Sequence, residues 1–136
     1  MNRILVDSGP LIALFDKSDR YHDQALQFLR ANKAELVTSL ASITEVLHLL
    51  DFNRNCQLDF LEWVKRGAVT IAEINQEDFE RLHELTKKYH DLPMDFADAC
   101  LVLLGEKLNL QEIATIDRDF SIYRIKEKKK FKNVFG

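Results

Sequence analysis

Two aspartates, Asp95 and Asp98, stand three residues apart in "LPMDFADACLVLLGEKL", directly ahead of a long apolar run. Three other apolar stretches also carry an acid: Asp7 closes "ILVD", Asp117 closes "IATID", and Glu45 interrupts "LASITEVLHLL". Carboxylates bind hard cations and exchange protons with water, so the question is whether these acids meet. Asp95-x-x-Asp98 has the form of a capping box with Asp in place of Glu, and Asp95 is read as the residue that satisfies free amides at a helix start. Asp98 differs. Ala97 and Ala99 flank it and "CLVLL" follows, so it belongs to a buried segment, where a carboxylate is rare unless paired or metal-bound. It is read as a metal ligand.

The elements that must position these acids follow from hydropathy periodicity. "RILVD", "ELVTS", "AVTIAEI" and "EIATID" read as short strands, the first ending at Asp7 and the last at Asp117. Between them lie amphipathic helices: "GPLIALFD", "SDRYHDQALQFLRAN" with Asp19 as its cap, "LASITEVLHLLDF", "LDFLEWVKRG" stopping at Gly67, and "QEDFERLHELTKKYH" capped by Asn75. Strands alternating with helices imply an α/β class with a mainly parallel sheet. In such a sheet the strands' carboxyl ends share one edge, and helices leaving that edge start there. Asp7 and Asp117 then lie on the edge, while Glu45 and Asp98 overlook it from first helical turns.

Convergence of four acids is unfavourable by itself. Two unit charges about 4 Å apart repel by roughly 4 kcal/mol at an effective dielectric near 20, a large share of a domain's stability. A cation is expected, and an all-oxygen ligand set favours Mg²⁺ or Mn²⁺ over zinc. Such an ion polarises a phosphoryl oxygen and activates water, the requirements of phosphodiester hydrolysis.

The bulk composition fits this picture. The 136 residues, 46% hydrophobic and 30% charged with 4 Gly and 2 Pro, are expected to form a single domain over 1–136. No signal segment opens the chain and no run reaches the length of a membrane span, so a cytoplasmic protein without membrane contact is expected. The net charge of -3 hides an asymmetry: "RIKEKKKFK", at about 124–132, carries about +5, leaving about -8 on the remainder. Lys128, Lys129, Lys130 and Lys132, interleaved with Phe131, suit a single-strand RNA path, but equally a solvated end or a lysine-protected sheet edge. The cysteines Cys56 and Cys100 lack metal spacing, and His22, His48, His83 and His90 form no ligand pair. Trp63 and the nine Phe read as core or interface residues.

"ILVDSGPLIALFD", "SITEVL", "DFADACLVLLGEKL" and "IATIDRDF", in that order and over the whole chain, resemble PIN-domain proteins of the VapC toxin type. The resemblance implies a PIN-like three-layer α/β/α sandwich and a Mg²⁺- or Mn²⁺-dependent endoribonuclease acting on RNA. It also implies a homodimer neutralised by a cognate antitoxin protein. Carried over by motif, the site acids are Asp7, Glu45, Asp98 and Asp117. Ser8 and Thr115 match hydroxyl positions that shape the site or hold water, and Asp95 stands beside it. Asp119 falls just past the metal position and reads as a cap for the segment that follows.

Three other classes of protein fit the sequence less well. A catalytically inactive PIN-like module that only binds RNA or protein has no reason to retain four mutually repelling acids. A phospho-acceptor receiver would need paired acids after the first strand, where this chain has Asp7-Ser-Gly-Pro. A phosphatase with D-x-D there is excluded by Gly9.

Overall fold

The computed structural model describes residues 2–126 and 128–136; Glu127, inside the basic stretch, lies outside the described residues. The chain runs β1 (Arg3–Val6), α1 (Ser8–Phe15), α2 (His22–Ala31), β2 (Glu35–Ser39), α3 (Leu40–Leu49), α4 (Arg54–Lys65) and β3 (Thr70–Ala72). It continues with α5 (Phe79–Lys88), α6 (Phe96–Leu108), β4 (Glu112–Ala114), β5 (Arg124–Ile125), β6 (Lys129–Lys130) and β7 (Lys132–Asn133). Single 3₁₀ turns occupy Gln76–Asp78 and Arg118–Ser121.

Five strands form one sheet in the order β3-β2-β1-β4-β7, and every pairing in it is parallel. Alternate residues on the central strands feed opposite faces, as a two-residue period requires. Ile4, Val6, Leu36 and Ala114 join one buried cluster with α1, α3 and α4, whereas Leu5, Val37 and Ile113 join another with α5 and α6. The result is the expected α/β/α sandwich.

Helix α6 is the least ordinary element, because residues Ala97 through Gly105 are all buried. A helix apolar all round must be covered all round. The sheet and α5 take two sides, and Arg81 grips Glu106 with two nitrogens at 2.9 and 2.8 Å. On a third side lie Phe120, Tyr123 and Phe131, whose rings meet edge to face at 5.0 and 5.6 Å. Gly105 makes room for them: a Cβ there would stand 3.0 Å from both the Phe131 ring and the Leu110 carbonyl oxygen.

Several expectations need correction. The fourth strand stops at Ala114, opposite Val6 where β1 itself ends; Asp117 lies three residues beyond it, its amide donated to the Thr115 hydroxyl. Helix α2 begins at His22 rather than at Asp19, whose carboxylate instead accepts the Tyr21 amide in the preceding turn. Helix α4 begins four residues early at Arg54, since the Asn53 side chain caps the Asn55 and Cys56 amides. The basic stretch is not a free tail: it supplies the antiparallel hairpin β5–β6 and the edge strand β7.

Candidate metal centre

Each acid reaches the sheet's carboxyl edge by a local hydrogen-bonding device. Asp7 follows β1, and its amide still donates to the Ala114 carbonyl at 3.0 Å, which holds it to the sheet. Its side chain caps α1: Oδ1 accepts the Ser8 amide at 2.8 Å, and Oδ2 accepts the Thr115 hydroxyl at 2.9 Å. The Thr115 oxygen in turn accepts the Asp117 amide at 2.9 Å, and Asp117 caps the 3₁₀ turn by accepting the Asp119 amide at 2.9 Å. That turn is thus capped by Asp117, not by Asp119.

At the start of α6 the aspartate pair forms a capping box, and Asp98 also belongs to the acidic cluster. Asp95 is the cap, accepting the Asp98 amide at 2.8 Å, and Asp98 returns the bond to the Asp95 amide at 3.3 Å. A single-turn capping box therefore fixes Asp98 while leaving its other oxygen free to face the edge.

Oxygens of Asp7, Asp98 and Asp117 lie within 4.8 Å of one another. Asp7 and Asp98 are only 5% and 6% exposed. Glu45, from the second turn of α3, accepts a hydrogen bond from the Ser8 hydroxyl and lines the same cavity of about 430 Å³. Asp95 and Asp119 also line it. All four expected acids therefore share one cavity, three as a tight cluster and Glu45 on its wall. The lysines do not join them: Lys126 and Lys130 are tied by their backbones to Glu106 and Gln111, toward the sheet's amino edge.

The electrostatics match the crowding. Burial, reinforced by the charges of Asp7 and Asp95, pushes the Asp98 carboxyl up to about 8. Burial pushes Asp7 up to about 6 against the pull of its two hydrogen bonds. Burial also raises Asp117 and Glu45, aided by Asp119 for the first and by Asp95 for the second. Three carboxylates at this spacing, with no His or Cys among them, form the oxygen-only set that suits a hard divalent cation.

Sequence reasoning missed Tyr123. It is fully buried, its hydroxyl has no hydrogen-bond partner among the described residues, and burial together with the charges of Asp98 and Asp119 raises its phenol above the usual range. Nothing in "SIYRIK" marks it, because its place follows from the turn capped by Asp117.

A parallel sheet sandwiched by helices, with two buried carboxylates and a half-buried third converging at its carboxyl edge, defines a class of α/β/α proteins with an acidic cluster there that could hold a cation. The chain belongs to the PIN domain family, whose model matches residues 4–126. It is 25% identical over 117 residues to ribonuclease VapC26 of Mycobacterium tuberculosis, covering 85% of this chain and 87% of that protein. It is also 22% identical over 158 aligned positions to the DNA double-strand break repair helicase HerA of Sulfolobus acidocaldarius; the match covers 88% of this chain and 32% of the helicase. Its fold resembles the crystal structure of M. tuberculosis VapC20, described as a sarcin-ricin loop cleaving toxin. There the TM-score is 0.80 at 20% identity, covering 88% of this chain and 93% of that one.

Asp7 and Asp98 keep their protons in the folded, metal-free chain at pH values where the unfolded chain has released them. The folded state then binds more protons, so stability falls as pH rises from about 4 to about 8. In EDTA the melting temperature should drop between pH 5 and pH 8, and Asp98→Asn should raise it at pH 8 and flatten the slope. Thermal scans that climb across this window would contradict the assignment.

Proposed function

We propose that this chain is a metal-dependent endoribonuclease that cuts single-stranded or loop RNA, and that it is the toxin of a type II toxin–antitoxin pair working in the cytoplasm. The convergence of Asp7, Asp98 and Asp117, the first two of them buried, in one cluster is the observation that carries this reading. The similarity to a ribonuclease and to an RNA-cleaving toxin supports it. A cognate antitoxin protein is the partner such a toxin requires. Residues 1–136 are taken to work as one unit.

In this mechanism Asp7, Asp98 and Asp117 hold Mg²⁺ or Mn²⁺. The bound cation supplies a Lewis acid for the scissile phosphate and lowers the pKa of water. Glu45 stands on the cavity wall, where burial raises its pKa and makes it a stronger base for a proton of attacking water. The Ser8 hydroxyl, donating to Glu45, fixes the orientation of that carboxylate. Thr115 orients Asp7, and Asp95 orients Asp98. Lys128, Lys129, Lys130 and Lys132 sit away from the cutting centre, so any phosphates they meet belong to RNA beyond the cleaved bond.

A homodimer is part of the proposal. An apolar groove of about 880 Å³ adjoins the acidic cavity and shares Glu45 and Asp95 with it. Its lining includes the Phe79 and Phe96 rings, each residue 50% exposed, which stack at 5.8 Å. An exposed apolar face of this kind is covered on both sides when two copies meet across a two-fold axis, so the occupant assigned to it is a second copy.

Purified chain should cut a mixed RNA pool in Mn²⁺ or Mg²⁺ and not in EDTA, and Asp7→Asn should lose at least about a hundredfold in rate with its fold intact. Cutting retained by Asp7→Asn would remove Asp7 from the centre. Replacing Lys128, Lys129 and Lys130 by Ala should weaken RNA binding and reduce its salt dependence while leaving kcat unchanged; a fall in kcat alone would place these lysines at the centre after all. Sedimentation should show a dimer that Phe79→Glu converts to monomer, whereas a monomeric wild type would rule out the dimer.

A further inference from the structure

Asn133 stands in β7, beyond the residues that the PIN family model matches. Its carboxamide pairs with the Thr115 backbone on both sides. Nδ2 donates to the Thr115 carbonyl at 3.1 Å, and Oδ1 accepts the Thr115 amide at 3.3 Å. The same Oδ1 accepts the Phe135 amide at 3.1 Å, which sets the direction of the side chain.

A carboxamide has the same donor and acceptor as a peptide group. In the ladder between β4 and β7, the Val134 amide donates to the Ile113 carbonyl at 2.8 Å. Past that point the Asn133 side chain supplies the next rung. Without it, both backbone groups of a residue that is 2% exposed lose these partners.

Thr115 is the residue on which two acids of the metal centre rest. Its hydroxyl donates to Asp7 Oδ2 and accepts the Asp117 amide, each at 2.9 Å. The path from Asn133 to the cluster is therefore two hydrogen-bonded steps, and it ends on carboxylates from two different chain segments. We propose that Asn133 is a positioning residue of the metal centre: by clamping Thr115 it aims Asp7 and seats the turn that carries Asp117, so that the last strand completes the cation site.

The inference rests on the metal-centre reading above and is tested by binding as well as by cleavage. Calorimetric titration of Mn²⁺ into the full chain compares wild type, Asn133→Ala, Thr115→Val and the double variant, with Lys132→Ala as a neighbour on the same strand. Groups that orient metal ligands from the outer shell are worth about 10–100-fold in affinity. Asn133→Ala should raise the Mn²⁺ dissociation constant about tenfold while its circular dichroism matches wild type and Lys132→Ala binds normally. In the Thr115→Val background the same change should add little, because the path has already been cut.

Mn²⁺ affinity within about twofold of wild type in Asn133→Ala, or losses that multiply in the double variant, would overturn the proposal. Should the alanine variant not fold, Asn133→Gln, which keeps the amide but displaces it by one methylene, carries the same criterion. A wild type that binds no Mn²⁺ would instead sink the metal-centre reading itself, a result distinct from an unaffected Asn133 variant.

Discussion

The structure depends on holding like charges together. Asp7, Asp98 and Asp117 offer oxygens within 4.8 Å of one another, two of them almost wholly out of solvent, and carboxylates so placed repel. What keeps the arrangement folded without a cation is that each acid also has a local duty. Asp7 caps α1, Asp98 closes the capping box of α6, and Asp117 caps the 3₁₀ turn. Donors already spent on helix starts stabilise the carboxylates where they stand, and burial, with repulsion second, appears as raised pKa values that a divalent cation would relieve.

This constraint explains the frame around the site. Asp98 can be buried only because α6 is buried, and α6 is buried because layers cover it on several sides. The sheet and α5 provide two of these, and the turn after β4 brings up Phe120 and Tyr123. The link between β6 and β7 adds Phe131, fitted against Gly105. The segment that sequence alone presents as a lysine-rich end thus backs the sheet's carboxyl edge, by packing and by the Asn133–Thr115 hydrogen bonds, while Lys129, Lys130 and Lys132 stay exposed.

Similarity to VapC20 at a TM-score of 0.80 with 20% identity shows how little of the chain the fold needs to specify. Alternation on the strands, a buried sixth helix and caps at the sheet's carboxyl edge suffice. The groove beside the acids, with Leu40, Phe79 and Phe96 exposed along it, is set by side chains that this frame does not dictate. Properties that vary among proteins of this architecture have room to change there.

Element types, their order and the four acids were legible in the sequence, since each rests on short-range physics. Two-residue alternation marks a strand, a capping residue marks a helix start, and an acid inside an apolar run marks a place where burial must be compensated. The double duty of Asp98 as cap and cluster member could be read only in part, because capping and metal binding leave the same local pattern. What tertiary structure alone decided is longer in range. Asp117 left its expected strand, with its amide taken by the Thr115 hydroxyl instead of a neighbouring strand. Asn133 reached Thr115, and Tyr123 reached Tyr89, across 18 or more residues of chain. Such pairings depend on which strands become neighbours, and no local periodicity records that choice.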